Sequence, residues 1–318
     1  MNRLTKIVLH EHGKFSNKAA AWHLMGILFL FIFSSSAAAE LTGQIVFSTQ
    51  EALCVLHVDD LRSRNSESCI RLPNKNDSAH HPVWMPNASG ILFEHSFWAN
   101  TGDLKRDLAV ISQKTKQITN LQVSIPNRTE LMSYPNWSPD GRYLALVRSE
   151  PIKSKEGQSL MTLFIIDKAP NDYRVVTQNC AASPVSWSSD SKALAFRTGD
   201  GAIAIYNMAP GTITILNKGS YPIFHPATKQ IFYISQDKHL YCVNTDNTNI
   251  REVDNTDWSW SQLIGISDDG VGLFFVEASS LLWWEYNTIN YFSFDSRKKK
   301  VLSKWHAIMH GASLYQGQ

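Results

Sequence analysis

The stretch YPNWSPDGRYLALV, residues 134–147, joins a short apolar run, a tight turn and a second run of alternating large and small residues. The turn residues explain the pattern. Pro139 presets φ at the first central position of a type I turn, Asp140 can bond its own backbone, and Gly141 suits the left-handed position that closes a hairpin. The stretch therefore predicts two antiparallel strands joined by a tight turn.

This hairpin pattern occurs five times along the chain. The large residue before each turn stands at Trp84, Trp137, Trp187, Phe224 and Ile266, which gives separations of 53, 50, 37 and 42 residues. Two further strand patterns follow each hairpin, for example residues 203–206 and 212–216 after the third copy. Repeats of this length, built from four short strands, are typical of β-propeller blades.

The two ends of the domain complete a further unit. GQIVFSTQ at 43–50 matches KQIFYISQ at 229–236, so the domain is predicted to open at the second strand of a blade. Segments 54–59 and 68–72 supply its third and fourth strands, and its first strand must come from the C-terminal segment 306–315. The prediction is an all-β, six-bladed propeller over residues 40–318, closed by pairing of its terminal strands, because closure removes exposed sheet edges.

The first 39 residues differ from the rest. Four basic residues and one acidic residue lead into the apolar stretch 22–33, which is followed by Ser34-Ser35-Ser36-Ala37-Ala38-Ala39. This is typical of a secretory signal peptide, so we predict cleavage after Ala39, a periplasmic location and no membrane span in the mature protein. The alternative is an uncleaved membrane anchor formed by the uncharged stretch 19–39.

Charge and cysteine content narrow the class of protein. Without the leader, 26 basic and 27 acidic residues remain, so the polybasic surface of a nucleic-acid-binding protein is absent. Cys54 and Cys69 flank one predicted hairpin and are candidates for a disulfide, whereas Cys180 and Cys242 lie in different repeats and are predicted to be free, buried thiols. The cysteine spacing does not match a zinc site.

The run WSPDGRYLA, residues 137–145, resembles the six-bladed propeller repeat of the TolB family, the periplasmic components of the Tol-Pal cell-envelope system. The resemblance covers residues 40–318, closely at one blade and loosely at the others. TolB proteins carry a separate α/β domain before the propeller, which this chain is expected to lack because its first blade begins close to the predicted cleavage site. The resemblance implies a monomeric binding module with a protein or peptide partner in the cell envelope.

The predicted blade geometry places most long loops at one end of the ring. Insertions at 97–106, 151–159 and 279–290 connect second and third strands, and long loops on a rigid scaffold are where binding surfaces usually lie. Tryptophan is enriched at interaction hot spots, so the loop tryptophans are candidate binding residues; the alternative is that they fold back over the core. These candidates are Trp98, Trp258, Trp260, Trp283 and Trp284.

A second candidate binding site is the mouth of the central channel. His81, Tyr134 and Tyr221 lie near the starts of inner strands, and a polar, aromatic mouth suits a peptide end or a small ligand. The alternative is an inert, water-filled channel. A metal site would need His306 and His310 together with a channel-mouth histidine, and isolated histidines are more often structural, so no metal is predicted.

Signatures of enzymes are missing from the sequence. It contains no GxSxG, HExxH, GxxxxGK[ST] or GxGxxG motif, so neither a catalytic residue nor a cofactor is predicted. The alternative function is a periplasmic carbohydrate-active enzyme, of the lyase or glycosidase type, that uses the channel-mouth histidines.

Overall fold

The computed structural model describes residues 43–49, 52–58, 66–121, 123, 131–151, 159–168, 172–259, 261–281, 284–303 and 312–315. The chain divides into two units, 1–39 and 40–318, and all described residues belong to the second. No helix occurs among them, and so none that could cross a membrane. The predicted signal peptide, its cleavage site and the alternative anchor lie outside the described residues and stay predictions.

The described part of the chain is built from β-strands. In chain order, the strands of the first half are β1 (Gly43–Ser48), β2 (Ala52–Val58), β3 (Ser66–Arg71), β4 (Ser78–Trp84), β5 (Gly90–Trp98), β6 (Leu104–Ser112), β7 (Ile118–Asn120), β8 (Leu131–Trp137), β9 (Tyr143–Pro151), β10 (Ser159–Asp167) and β11 (Asp172–Thr177). Those of the second half are β12 (Ser186–Trp187), β13 (Ala193–Arg197), β14 (Ala202–Asn207), β15 (Thr212–Phe224), β16 (Gln230–Ser235), β17 (Leu240–Asn244), β18 (Arg251–Asp254), β19 (Ser261–Ile266), β20 (Gly272–Leu281), β21 (Trp284–Ser293), β22 (Lys299–Val301) and β23 (Ala312–Tyr315).

These strands form antiparallel sheets in a propeller-like arrangement. Four sheets have four strands each, in the orders β23-β1-β2-β3, β4-β5-β6-β7, β8-β9-β10-β11 and β19-β20-β21-β22. The remaining sheet has seven strands, from β12 to β18. The first strand of each four-strand set is called its inner strand below.

The number of separate sheets differs from the predicted six. The cause is β15, a strand of 13 residues whose first part pairs with β14 and whose last part pairs with β16. Elsewhere a loop separates the fourth strand of one set from the first strand of the next. Here no insertion interrupts residues 212–224, so the backbone stays extended and joins two sets into one sheet.

The sheets are buried on both faces. Successive residues of a strand point to opposite sides, so Phe274 packs against β1 and β2 while Phe275 packs against β16 and β17. Among the described residues, six hydrophobic clusters lie between neighbouring four-strand sets. Burial on both faces explains why the second strands read as continuous apolar runs rather than alternating ones.

The predicted pairing of the two ends is confirmed. β23 is antiparallel to β1, with Ile45 opposite Leu314 and Phe47 opposite Ala312. Ile45 and Phe47 are fully buried in the cluster that also contains Phe274 of the last four-stranded sheet. The C-terminal strand therefore closes the ring beside the first strand of the domain.

The cysteine predictions are also confirmed. Cys54 and Cys69 face each other across β2 and β3 and form a disulfide with a Cα–Cα distance of 4.0 Å. Cys180 and Cys242 are free and buried. Burial raises the pKa of the Cys180 thiol to about 12, so this thiol stays protonated and unreactive.

The turn at residues 138–141 is stabilised by hydrogen bonds from its own side chains. The Ser138 hydroxyl donates to Asp140 Oδ1 at 2.6 Å and accepts a hydrogen bond from the Tyr143 backbone N–H at 2.9 Å. Asp140 also accepts the backbone N–H of Arg142, and Gly141 takes the expected positive φ of 70°. The Ser-x-Asp spacing is therefore a structural feature of the repeat.

Candidate binding site at the channel mouth

Three neighbouring cavities lie along the inner strands. The first, the mouth cavity, has a volume of about 300 Å³ and lies towards the end where second and third strands connect. The second has a volume of about 50 Å³, with Pro82, Pro135 and Pro184 in its lining, and the third has a volume of about 280 Å³ and shares inner-strand residues with the second. The mouth cavity is lined by His80, His81, Glu94, Arg106, Ser133, Tyr134, Val147, Ser149, Met161 and Ala182.

Three inner strands bulge at the same place. His81, Tyr134 and Tyr221 each precede a proline and have positive φ values of 48°, 54° and 53°. The register of β4, β8 and β15 shifts at these residues, because proline cannot donate to the sheet ladder. A left-handed φ is uncommon for bulky residues and, where it persists, is often found at functional sites.

The polar centre of the mouth cavity is Glu94 of β5. Its carboxylate is buried, with 3% of the side chain exposed, and accepts a hydrogen bond from the Ser133 hydroxyl at 2.9 Å. His81 Nδ1 lies 3.3 Å from Oε2, and Arg106 Nη1 lies 3.5 Å from Oε1. The carboxylate therefore joins side chains from β4, β6 and β8.

These partners keep Glu94 ionised. Burial alone would raise its pKa, but the hydrogen bond and charge of His81, together with the Ser133 hydroxyl and His80, lower the pKa below its usual value. An ionised carboxylate only accepts hydrogen bonds, so the His81 Nδ1 that faces it carries the proton.

Aromatic contacts link the same strands. The rings of His81 and Tyr134 have centroids 3.9 Å apart. Burial raises the pKa of Tyr134, with smaller contributions from Tyr221 and Glu94, so its phenol stays a neutral O–H. The neighbouring His80 places Nε2 2.9 Å from the Ser78 hydroxyl. The site is thus a polar and aromatic wall.

Comparison with known proteins supports the architecture. No family model and no curated protein matches the sequence. A crystal structure of TolB from Acinetobacter baumannii is similar over 86% of this chain, with a TM-score of 0.61 and 13% identity. The chain has a TolB-like β-propeller fold. It spans 66% of the length of that TolB structure.

The same fold is found in other solved structures. A nidogen/laminin complex matches over 86% of this chain and 98% of its own, with a TM-score of 0.59 and 9% identity. The tricorn protease matches over 86% of this chain and 30% of its own, with a TM-score of 0.51 and 11% identity. At these identities the similarity concerns the fold alone.

Within the TolB-like ring, the predicted channel residues lie as follows. His81 and Tyr134 are in contact and both line the mouth cavity. Tyr221 occupies the equivalent bulge on β15, where it is half-buried and packs against the cluster around Phe232. The structure therefore brings two of the three predicted residues together in one cavity, with Tyr221 near Tyr134, and their role in binding stays a prediction.

The tryptophans predicted to bind a partner separate into distinct environments. Trp98 ends β5 with 57% of its surface exposed, opposite Leu104, which is 49% exposed. Trp284 begins β21, and Trp260 and Trp283 lie outside the described residues, as do His306 and His310.

The prediction that Trp258 is an exposed binding residue on the loop-bearing end is wrong. It is fully buried, its indole N–H donates to Asp254 Oδ2 at 2.7 Å, and Lys299 Nζ lies 4.2 Å from its ring centroid. Its ring also contacts Phe275, so it belongs to the core between two sheets. The alternative, that a loop tryptophan folds back over the core, holds for Trp258.

The strands that flank the three predicted insertions extend up to them or into them, while residues 152–158 and 282–283 lie outside the described residues. β5 pairs with β6 out to Trp98 and Leu104, β9 with β10 out to Pro151 and Ser159, and β20 with β21 out to Leu281 and Trp284. Three arms therefore project at the end of the ring that holds the mouth cavity.

Sequence reasoning missed Glu94 and Arg106. A signal was present for Glu94, which interrupts the apolar run ILFEHSFW at a position where both faces of the sheet are buried. A carboxylate is stable there only with partners, so its position indicated a polar network. Among the described residues, no group of three or more potential metal ligands is close enough to hold an ion.

Proposed function

We propose that this protein is an exported, periplasmic propeller that acts as a monomer and binds a protein partner of the cell envelope at the mouth-cavity end of its ring. In this proposal the seven-stranded sheet counts as two blades that meet in β15. Together with the four four-stranded sheets, this gives a propeller of six blades. The six hydrophobic clusters between neighbouring four-strand sets support that count.

The observation that carries the proposal is the construction of the mouth cavity. A buried carboxylate is costly unless several donors compensate it, and left-handed bulky residues cost free energy as well. The chain keeps both at one end of the ring, around Glu94, His81 and Tyr134. At the opposite end, the turns at Ser138 and Ser188 are short and each is stabilised by a Ser-to-Asp hydrogen bond. A polar, preformed cavity at one end is what a recognition site requires.

Two further observations support the location and the partner class. The Cys54–Cys69 disulfide is typical of proteins in an oxidising compartment, in agreement with the secretory signal predicted for residues 1–39. At the tip of the β5–β6 hairpin, Trp98 and Leu104 form an exposed apolar pair beside the cavity end. Exposed tryptophan is enriched at protein interfaces and suits a protein partner.

The test is capture of a partner from an envelope extract by the purified mature protein and its variants. Trp98→Ala and His81→Ala should each reduce capture at least tenfold, and Trp98→Ala should leave the melting temperature unchanged because the side chain is exposed. Tyr173→Ala is the matched control, since Tyr173 is an exposed aromatic residue on the outer strand β11.

If Trp98→Ala and His81→Ala captured the same proteins in the same amounts as the unmodified chain, the assignment of recognition to this end would be wrong. Loss of capture with Tyr173→Ala alone would place the partner on the outer edge instead. Fractionation of cells would test the location, since recovery in the cytoplasm contradicts the exported state.

A further inference from the structure

The mouth cavity has a blind end, because the space beyond it is too small for a polypeptide to pass through. The mouth cavity has a volume of about 300 Å³, and the neighbouring cavity, which shares His81 and Tyr134 with it and has Pro82, Pro135 and Pro184 in its lining, has only about 50 Å³. A space of this size holds a few water molecules. A chain that enters from the mouth therefore has to stop there, so the group recognised is the end of a chain or a small molecule.

The charges at the cavity leave no unbalanced negative charge that would repel an anion. Glu94 is the single acidic residue among the described residues that line it, and its two oxygens already face His81, Ser133 and Arg106. Its side chain is almost fully buried, so its charge is directed at these partners. The guanidinium of Arg106 balances that charge.

Arg106 is suited to a second carboxylate. It approaches Glu94 through Nη1 at 3.5 Å, while 36% of its side chain is exposed. A guanidinium carries five N–H donors in a fixed fork, so one edge can face Glu94 while another faces a ligand. Glu94 then fixes the orientation of Arg106 and of the His81 ring, which makes it a positioning residue.

From the blind end and the charges, we infer that the mouth cavity captures the free carboxylate at the C-terminal end of a peptide segment, with Arg106 as its ion-pair partner and the Tyr134–His81 wall beside the last side chain. This inference rests on the proposed function and names the part of the partner that is recognised. Capture of a terminal carboxylate is a known mode of peptide recognition.

The experiment uses the purified mature protein on an array of random octapeptides attached through their N-termini, printed once with free C-termini and once with amidated C-termini. Binding should be at least tenfold stronger to the free ends. Arg106→Gln should reduce binding to free ends by about tenfold to a hundredfold, because it removes a charge-assisted hydrogen bond. Arg106→Lys should retain part of the binding, because the charge remains while the fork of donors does not.

Lys105→Gln is the matched control. Lys105 is the exposed neighbour of Arg106 on β6, and adjacent strand residues point to opposite faces, so its replacement should leave array binding unchanged. Melting temperatures of the three variants report whether each is folded. Equal binding to free and amidated ends, or full binding by Arg106→Gln, would overturn the inference.

A carboxylate in the mouth cavity could come from a peptide end or from an acidic sugar, and competition with soluble glucuronate distinguishes the two. Failure of millimolar glucuronate to displace the peptides supports a peptide end, whereas glucuronate binding without any peptide binding refutes it. The inference and the proposed function fail differently. Suppose that capture from the extract depends on Trp98 but amidated peptides bind as well as free ones. The proposed binding of a protein partner at this end of the ring then stands, and only the inferred recognition of a terminal carboxylate is wrong.

Discussion

Removal of β23 should open the ring. Residues 312–315 pair with β1 over four positions, from Gln44 opposite Tyr315 to Phe47 opposite Ala312. A chain ending at residue 311 would leave β1 as an unpaired edge and would uncover side chains such as Ile45 and Phe47, both fully buried in the intact protein. The consequence should reach the whole ring, because the first and last sheets share this cluster.

The size of the effect follows from the hydrogen bonds and the apolar packing that β23 supplies. An antiparallel segment of this length carries about four inter-strand hydrogen bonds, and at about 1 kcal/mol net each they contribute roughly 4 kcal/mol. Leu314 packs against the same cluster, and burial of a leucine adds about 1 to 2 kcal/mol when it is partial. The resulting destabilisation of about 5 kcal/mol is comparable to the whole stability of many domains, which is about 5–15 kcal/mol.

Guanidinium denaturation followed by tryptophan fluorescence measures this destabilisation. The truncation at 311 should unfold at a much lower midpoint than the intact mature chain, or should lack a cooperative transition. A truncation at 315 keeps β23 and removes only residues 316–318, so it is the matched control and should unfold like the intact chain. Equal midpoints for the truncation at 311 and the intact chain would refute closure of the ring by β23.

Three other perturbations test separate features. Replacing both Cys54 and Cys69 by serine should cost about 3 kcal/mol in unfolding free energy, since the disulfide closes a short loop, and reductant should lower the intact protein to the same value. Gly265→Ala should destabilise by about 1 to 2 kcal/mol, because its Cβ would lie 2.9 Å from Leu314 Cδ2 on the closing strand, and Leu314→Ala in the same chain should relieve that clash. Glu94 has a lowered pKa in the folded state, so its ionised form stabilises the fold above its usual pKa of 4.5 and this contribution is lost as pH falls through the folded value. The stability gap between the intact protein and Glu94→Gln should therefore narrow below about pH 4.5, and a gap that is constant with pH would contradict the network.

The repeat and the ring closure could be predicted because their causes are local. The turn at 138–141 is decided by Ser138, Asp140 and Gly141, whose contacts span only a few residues. The apolar run at 45–47 matches its counterparts in other repeats, and an unpaired first strand requires a partner from the other end. Neither argument needs knowledge of long-range packing.

The features that were missed depend on contacts far apart in sequence. Trp258 stands in a polar segment, and its burial follows from Asp254 and from Lys299, 41 residues away along the chain. The merger of two four-strand sets in β15 follows from a missing insertion; the short separation of 37 residues between Trp187 and Phe224 indicated a short connection but not that one strand would pair on both sides. Ser133 and Arg106 meet Glu94 because three strands converge on one carboxylate. Such convergence is a property of the folded ring.

The proline repeat connects the fold to the site. Because proline removes a donor from the inner strand, the ladder has to bulge at the same level in β4, β8 and β15, whatever residue comes before it. The preceding residue, histidine at 81 and tyrosine at 134 and 221, takes a left-handed backbone in all three. The side chain that precedes the proline can therefore differ between strands without altering the strand pairing. In the second sheet the bulge places His81 against Glu94, and this one carboxylate makes a structural irregularity of the repeat into an asymmetric, charged cavity on an otherwise repetitive ring.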